Sequence, residues 1–311
     1  MITQQLRIGT RASKLALAQA GMIRDRIAQA VPTGAVSLSH ITTSGDRIQD
    51  RPLTEIGGKG LFTQEIEQAL LAGRIDCAVH SLKDMPAECP PGLVIAAIPE
   101  REDPRDAILS PTYASIDALP NGARLGTASL RRQAQARHRR PDLVIVPLRG
   151  NVDTRIAKLA RGEADAILLA VSGLNRLGLG RLPRGFIDPV ECPPAPGQGA
   201  LAIQTREADA DAPWLRALRH RPTTLAVAAE RGALTALEGS CRTAIGAYAR
   251  LDGARLILIV EALTPDGARR FRREAEVDVD VNGADGEIAA RDLGLRLGAE
   301  VSAEGGEALV G

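Results

Sequence analysis

Aromatic side chains are nearly missing from this chain, which has two Tyr, three Phe and one Trp in 311 residues. Stacking platforms for nucleic-acid bases are therefore scarce, and the cores must be built from Ala, Leu, Val and Ile. Lysine is rarer still, at positions 14, 59, 83 and 158, although Lys and Arg together number 39. An excess of one charge is missing too: the formal net charge is +1, which argues against a generic polyanion binder and, with so few aromatics, against nucleic acid as a partner. The four cysteines, Cys77, Cys89, Cys192 and Cys241, show neither CxxC pairing nor His-rich spacing. That pattern suggests no zinc or other metal site and no disulfide framework, and it suits a reducing cytoplasm. No run approaches the roughly 20 apolar residues of a membrane span. MITQQLRIGTRASK enters a strand-like run with no apolar signal segment.

What is present is an ordinary globular composition, 44% hydrophobic and 25% charged, long enough for two or three cores. Short apolar strands alternate with amphipathic helices, as in an α/β protein. LRIG, VSLSHIT, DCAVHS and GLVIAAIP read as strands, with helices in SKLALAQAGMIRDRIAQA and LFTQEIEQALLAG. After a polar joint, PEREDPRD, the alternation resumes through ARLGTAS, the RRQAQARHRR helix, DLVIVPL, the NVDTRIAKLARG helix and ADAILLAV. A Pro-rich break, LPRGFIDPVECPPAPGQG, leads to LAIQT and two helices. In the tail, AIGAYARL, RLILIVEALT and RRFRREAEVDVDV followed by GEIAARDLGLRLGAEV predict a separate small α+β domain.

The first two segments resemble each other. RIGTRAS (7–13) matches RLGTASLR (124–131), and GRIDCAVHS (73–81) matches GEADAILLAVS (162–172). Each time a strand ends in Gly-Thr and a hydroxyl residue opens a helix. One copy alone reads as ordinary capping. Two facing copies predict a cleft whose helix N-termini and nearby arginines bind carboxylates or phosphates. Arg11, Arg131, Arg132, Arg149, Arg155 and Arg176 cluster around these turns; the later arginines of the RRQAQARHRR helix read as a solvated face. In HSLKDMP (80–86) a strand ends and sets Lys83 and Asp84 in the following loop, where α/β folds carry chemistry. Asp84 could brace a turn; facing an arginine-lined cleft, its carboxylate could instead stabilise a cationic intermediate.

Taken in order, RIGTRAS, GGKGLF (57–62), HSLKDMP, RLGTASLRRQAQ, LRGNVDTR (148–155), PAPGQGALAI (194–203) and LEGSCRTAIGAY (237–248) resemble the porphobilinogen deaminase (hydroxymethylbilane synthase) family over about four fifths of the chain. The resemblance implies condensation of four porphobilinogens into hydroxymethylbilane with release of ammonia, by a cytoplasmic monomer. It also implies a dipyrromethane cofactor joined to Cys241 by a thioether. A buried small hydrophobe is the usual fate of a free Cys, and that remains the reading for Cys77, Cys89 and Cys192. Asp84 matches the catalytic aspartate. Ser81, Lys83, Thr127, Ser129, Arg131, Arg132 and Arg155 would hold the cofactor; Arg11, Ser13, Lys59, Arg149, Arg176 and Gln198 would serve the incoming ring. Glu55 stands where many relatives carry Lys, which leaves Lys59 as the nearer candidate there.

The fold so implied has two α/β domains resembling periplasmic solute-binding lobes around the cleft and a small C-terminal α+β domain. Its boundaries are 1–100 with 198–218, then 101–197, then 219–311, the last carrying the Cys241 loop. A two-lobed carboxylate sensor without catalysis is the alternative. The combination of Asp84 with the GSCR loop, and the missing secretion signal, count against it.

Overall fold

The structure is a computed structural model and describes residues 5–30, 35–47, 61–182, 184–237 and 243–309. Among these, the first strands and helices are β1 (Leu6–Thr10), α1 (Lys14–Ala30), β2 (Val36–His40), α2 (Ser44–Arg47), α3 (Gln64–Leu71), β3 (Cys77–Ser81) and β4 (Leu93–Ala97). Then come β5 (Asp106–Leu109), β6 (Arg124–Gly126), α4 (Leu130–Arg139), β7 (Val144–Val146), α5 (Val152–Ala160), β8 (Ala166–Ala170), α6 (Val171–Arg176) and β9 (Gly185–Phe186). The chain continues through β10 (Leu201–Arg206), α7 (Arg221–Leu237), β11 (Ala244–Asp252), β12 (Arg255–Leu263), β13 (Arg270–Asp278) and α8 (Asp285–Gly305). No described helix is long and apolar enough to cross a membrane. The chain divides into two compact units, residues 1–102 with 200–224 and residues 103–199 with 225–311.

The first unit holds a five-stranded sheet in the order β2-β1-β3-β10-β4, in which β10 alone runs antiparallel to its neighbours. The second unit repeats it as β7-β6-β8-β5-β9, with β5 antiparallel in the place of β10. Registers agree as well. Ile8 and Gly9 pair with Cys77 and Ala78 in one sheet, Leu125 and Gly126 with Ala166 and Ile167 in the other. The matched motifs share the same ion pair, Arg7 to Asp76 at 2.9 Å and Arg124 to Asp165 at 2.8 Å, and each Asp also accepts the backbone N–H of its Arg. The duplicated GRID and GEAD segments are thus strand-entry clips, formed by the same non-local pairing twice.

Two parts of the chain read differently from the sequence pattern. PEREDPRD is only partly a joint, because its last residue opens β5, an interior strand of the second sheet. Alternation fails to reveal β5 because DAIL is buried at every position. Of the two helices expected after LAIQT, the first is a 3₁₀ turn, Pro213–Leu218, and only the second, α7, is α-helical.

The second unit also contains the antiparallel sheet β11-β12-β13, with α7 and α8 packed over one face around Leu256, Leu258, Val260, Phe271, Leu293 and Leu297. The shortage of aromatics is met here by close approach of backbones. A Cβ on Gly294 would stand 2.0 Å from the Ala229 carbonyl oxygen, and one on Gly298 would stand 2.7 Å from that of Ala233. Glycine lets the two helices pack without large side chains between them.

Candidate active site

In the first unit, β1 delivers Thr10, buried, and then Ser13, whose Oγ accepts the Ala16 N–H at 3.3 Å and caps α1. Arg11 points its guanidinium at Asp46, with Nε 3.1 Å from Oδ1, and stacks over Phe62 at 4.1 Å from the ring centroid. On β3, Ser81 Oγ lies 3.0 Å from the Gln19 amide nitrogen. The chain then turns through one 3₁₀ turn, Leu82–Asp84, pinned by the buried Leu82 side chain and by its N–H on the Ala200 carbonyl at 3.0 Å. Lys83 is half-buried there. Asp84 is exposed and its carboxylate makes no hydrogen bond or ion pair among the described residues, so it does not brace the turn.

His80 steadies the strand that carries this turn. Its Nε2 meets Gln204 Oε1 at 3.0 Å, and burial depresses its pKa from 6.5 to about 4, opposed by the Gln204 bond and assisted by Arg11. A depressed folded-state pKa means that the neutral ring contributes stability in full above pH 6.5, and that this is lost as pH falls toward 4. The expected loss over that window is up to about 3 kcal/mol. His80→Gln should flatten the urea midpoint between pH 6.5 and 4; an unchanged slope would place the acid sensitivity elsewhere.

In the second unit, Ser129 caps α4 by accepting the Arg132 N–H at 3.4 Å, and Thr127 Oγ1 accepts the Ser129 N–H at 3.2 Å. Both helices of the duplicated motif therefore start on a serine cap, as their sequences predict. Arg131 and Arg132, at the first turn of α4, are buried rather than displayed, 5% and 6% exposed. They share one carboxylate, Arg131 Nη2 donating to Asp106 Oδ2 at 2.8 Å and Arg132 Nη2 to Oδ1 at 2.6 Å. Gln198 Nε2 adds a third donor to Asp106 at 2.8 Å. Burial alone would raise the Asp106 pKa, but the two guanidiniums outweigh it and hold the group well below the usual carboxylate range. Two cations against one anion leave the cluster one positive charge in excess, and the Nε of each Arg is buried without an acceptor among the described residues. That residual charge and those two donors fit a carboxylate-bearing group.

Asp106→Asn keeps the shape and removes the carboxylate that the two arginines share. Stranding buried charges costs about 3–5 kcal/mol, so the urea midpoint should drop by a corresponding amount, and an unchanged midpoint would show the pair to be solvated in solution.

The remaining candidates are spread along the second unit. Arg149 and Arg155 flank the start of α5, with Arg155 Nε donating to the Gly150 carbonyl at 2.8 Å, and Arg176 Nη2 donates to the Gly199 carbonyl at 2.6 Å. Cys241 and Lys59, with Glu55, lie outside the described residues. Three residues after Cys241, Ala244 packs against Ala134 of α4, next to the arginine pair. The other thiols behave as packing: Cys77 is buried, with burial pushing its pKa up, Cys192 is pushed up to about 11 by burial first and then by Glu261, and Cys89 Sγ lies 3.9 Å from the Gln204 amide nitrogen. The later arginines of α4 are not simply solvated. Arg139 pairs with Asp117 and Glu191, and Arg137 reaches the Pro265 carbonyl.

Four buried polar side chains central to this region are given no role by the motif reading: Asp106, Gln135, Glu230 and Glu261. Glu230 accepts the Gly197 N–H at 2.7 Å and the Ala249 N–H at 2.8 Å, tying the PAPGQG loop to β11. Gln135 accepts from Arg131 at 2.8 Å and donates to Glu261 at 2.6 Å. The only sequence signal was Gln135 four residues after Arg131, one helical turn on the same face.

Comparison with known proteins gives a consistent result. The family model described as porphobilinogen deaminase, dipyromethane cofactor binding domain, matches residues 6–213, and that for the porphobilinogen deaminase C-terminal domain matches residues 224–303. A porphobilinogen deaminase of Caulobacter vibrioides (strain NA1000 / CB15N) is 70% identical, covering 98% of this chain and 97% of its own length. Those of Caulobacter sp. (strain K31) and Phenylobacterium zucineum (strain HLK1) are 66% and 64% identical, the first covering 100% of this chain and 99% of its own length, the second 98% of each. Among solved structures, a YaeC-family lipoprotein from Enterococcus faecalis V583 aligns at 12% identity with a TM-score of 0.39, over 69% of this chain and 89% of its own.

Proposed function

This chain belongs to the porphobilinogen deaminase family, and on that premise we propose which of its residues carry the reaction. The enzyme condenses four porphobilinogens head to tail into hydroxymethylbilane, releasing ammonia at each addition, in tetrapyrrole biosynthesis. When bound, the dipyrromethane cofactor supplies the pyrrole end from which the chain is extended. Every other task falls to the protein. Cys241 anchors the cofactor through its sulfur, a polarizable nucleophile suited to a stable C–S bond. Arg131 and Arg132 bind cofactor carboxylates; the observation that carries this is the buried pair with a single counter-ion and two unanswered Nε donors. Ser81, Lys83, Thr127, Ser129 and Arg155 complete that set.

Arg11, Ser13, Lys59, Arg149, Arg176 and Gln198 orient the incoming ring, whose acetate and propionate each suit a permanently charged fork. For Gln198 this role is indirect, because its amide is occupied by Asp106 and the Pro104 carbonyl. Asp84 holds its carboxylate toward the substrate pyrrole, stabilises the positive charge that develops as ammonia leaves, and carries the proton. The chain acts as a cytoplasmic monomer without nucleic acid or metal. Its three domains are 1–100 with 198–218, 101–197 and 219–311. Net charge near zero and the scarcity of aromatics support the exclusion of nucleic acid.

An intact mass of the purified protein tests the reading. The expected value is the sequence mass plus two covalent pyrrole units; a bare chain with no adduct after incubation with porphobilinogen would overturn it.

A further inference from the structure

β1 and β3 are parallel neighbours, so Arg11, one residue past β1, and Asp84, three residues past β3, leave the same edge of the first unit's sheet. Asp46, in TTSGDR (42–47), is given no part in the reaction by the motifs. Its carboxylate nevertheless takes a whole edge of the Arg11 guanidinium. Nε donates to Oδ1 at 3.1 Å and to Oδ2 at 3.2 Å, and Nη2 donates to Oδ1. The carboxylate is itself held from behind, Thr43 Oγ1 donating to Oδ2 at 2.8 Å and the Thr43 N–H at 3.3 Å, while the Asp46 N–H returns to the Thr43 carbonyl at 3.1 Å. Burial alone would raise the Asp46 pKa, but the bonds from Arg11 and then Thr43 outweigh it and hold the group below the usual carboxylate range, so the pair is ionic.

One face of the same guanidinium is covered as well. Its central carbon stands 4.1 Å from the Phe62 ring centroid. The ring is in turn seated on Gly45: a Cβ there would stand 2.3 Å from Phe62 Cε1, and the Gly45 N–H donates to the Leu61 carbonyl at 2.9 Å. A guanidinium carries five N–H donors in a fixed plane. Asp46 takes the Nε–H and one N–H of Nη2; the other N–H of Nη2 and both of Nη1 meet no acceptor among the described residues. What is left is one end-on fork, Nη1 with Nη2, a geometry that holds a carboxylate through two parallel hydrogen bonds.

We infer that Asp46 is a positioning residue for the reaction: by holding the Nε edge of Arg11 it presents the Nη1–Nη2 fork to one carboxylate of the incoming ring. The inference rests on the assignment of Arg11 to substrate. The charges of the pair cancel, so Asp46 contributes orientation at the expense of Coulomb attraction. An arginine ordered before the encounter loses no rotamer freedom on binding, whereas one left unheld weakens binding by about twofold to tenfold. The sign of the effect therefore separates the two contributions. Removing the Asp46 charge tightens substrate binding if attraction dominates and weakens it if orientation does.

The measurements are KM and kcat for porphobilinogen, with enzyme whose cofactor content has been confirmed by intact mass. Asp46→Asn should load cofactor fully and raise KM about threefold to tenfold with kcat little changed, because the fork acts equally before and during the reaction. Thr43→Val leaves the carboxylate but removes the hydroxyl that holds it, and should raise KM in the same direction by a smaller factor. In an Arg11→Gln background, itself raised in KM, Asp46→Asn should add nothing, since the edge it holds is gone. A KM unchanged or lowered in Asp46→Asn, a factor that multiplies with that of Arg11→Gln, or loss of the cofactor would each overturn the proposal. If Asp46→Asn yields no folded protein, an unchanged KM in Thr43→Val does so. An unchanged KM in Arg11→Gln would instead sink the assignment of Arg11 to substrate, and the proposal with it; none of these outcomes bears on Cys241 or Asp84.

Discussion

Cys241→Ser is expected to yield a folded protein that carries no covalent pyrrole and retains almost no activity. The substitution exchanges sulfur for oxygen and leaves hydrogen-bonding capacity, so the change falls on bond formation. A serine hydroxyl is a far poorer trap than a thiol for an electrophilic carbon. The other cysteines cannot substitute. Cys77 is buried in the first unit with its thiol pKa pushed up by burial, and Cys192 is pushed up to about 11, so neither supplies thiolate near neutrality. Cys89 lies against Gln204, whose amide nitrogen is 3.9 Å from its sulfur. Intact mass and a peptide map decide the matter. An adduct on Cys77, Cys89 or Cys192, or a loaded and active Ser variant, would remove Cys241 from its assigned role.

The elements legible in the sequence were those whose cause is local. Alternation and amphipathic periodicity located β1, β3, β8, α1, α4 and α8, and the Gly-Thr-hydroxyl pattern located the two serine caps, because a cap is decided within four residues. The internal match between GRID and GEAD was legible as similarity, but its meaning was not. Each Asp clips an Arg on a strand that lies next to it only in the folded sheet, 69 residues away in one copy and 41 in the other. Asp106 was hidden for the same reason. Its neighbours Glu102, Asp103 and Arg105 make the stretch look like solvated linker, yet it stands buried on an interior strand opposite two arginines 25 and 26 residues on. Motifs therefore identified the arginines as anion binders but not the carboxylate that already holds them. This counter-ion changes the interpretation of charge-removing variants: deleting Arg132 would leave Asp106 held by Arg131 and Gln198 alone and so disturb local packing along with cofactor capture.

Asp84 offers a cleaner test, because no contact among the described residues depends on its carboxylate. Its carboxylate is exposed and makes no hydrogen bond or ion pair among the described residues, while Leu82 and the Ala200 carbonyl hold the turn. Asp84→Asn keeps size and one acceptor oxygen, removes the charge, and should leave stability within about 0.5 kcal/mol, as for surface positions away from special contacts. Cofactor attachment at Cys241 should also survive. Loss of a charge that acts only as ammonia leaves costs about 3 kcal/mol or more of transition-state stabilisation, roughly a hundredfold or more in rate. Since the pyrrole cation it stabilises is absent from the bound ground state, the loss should fall on kcat, with KM little changed. Asp84→Glu restores the charge one methylene away and should lie between the two. The measurement is single-turnover ammonia release by variants whose cofactor content has been confirmed by mass. If fully loaded Asp84→Asn turns over at near the normal rate, negative charge at the end of β3 is dispensable and the proton must be carried by another group.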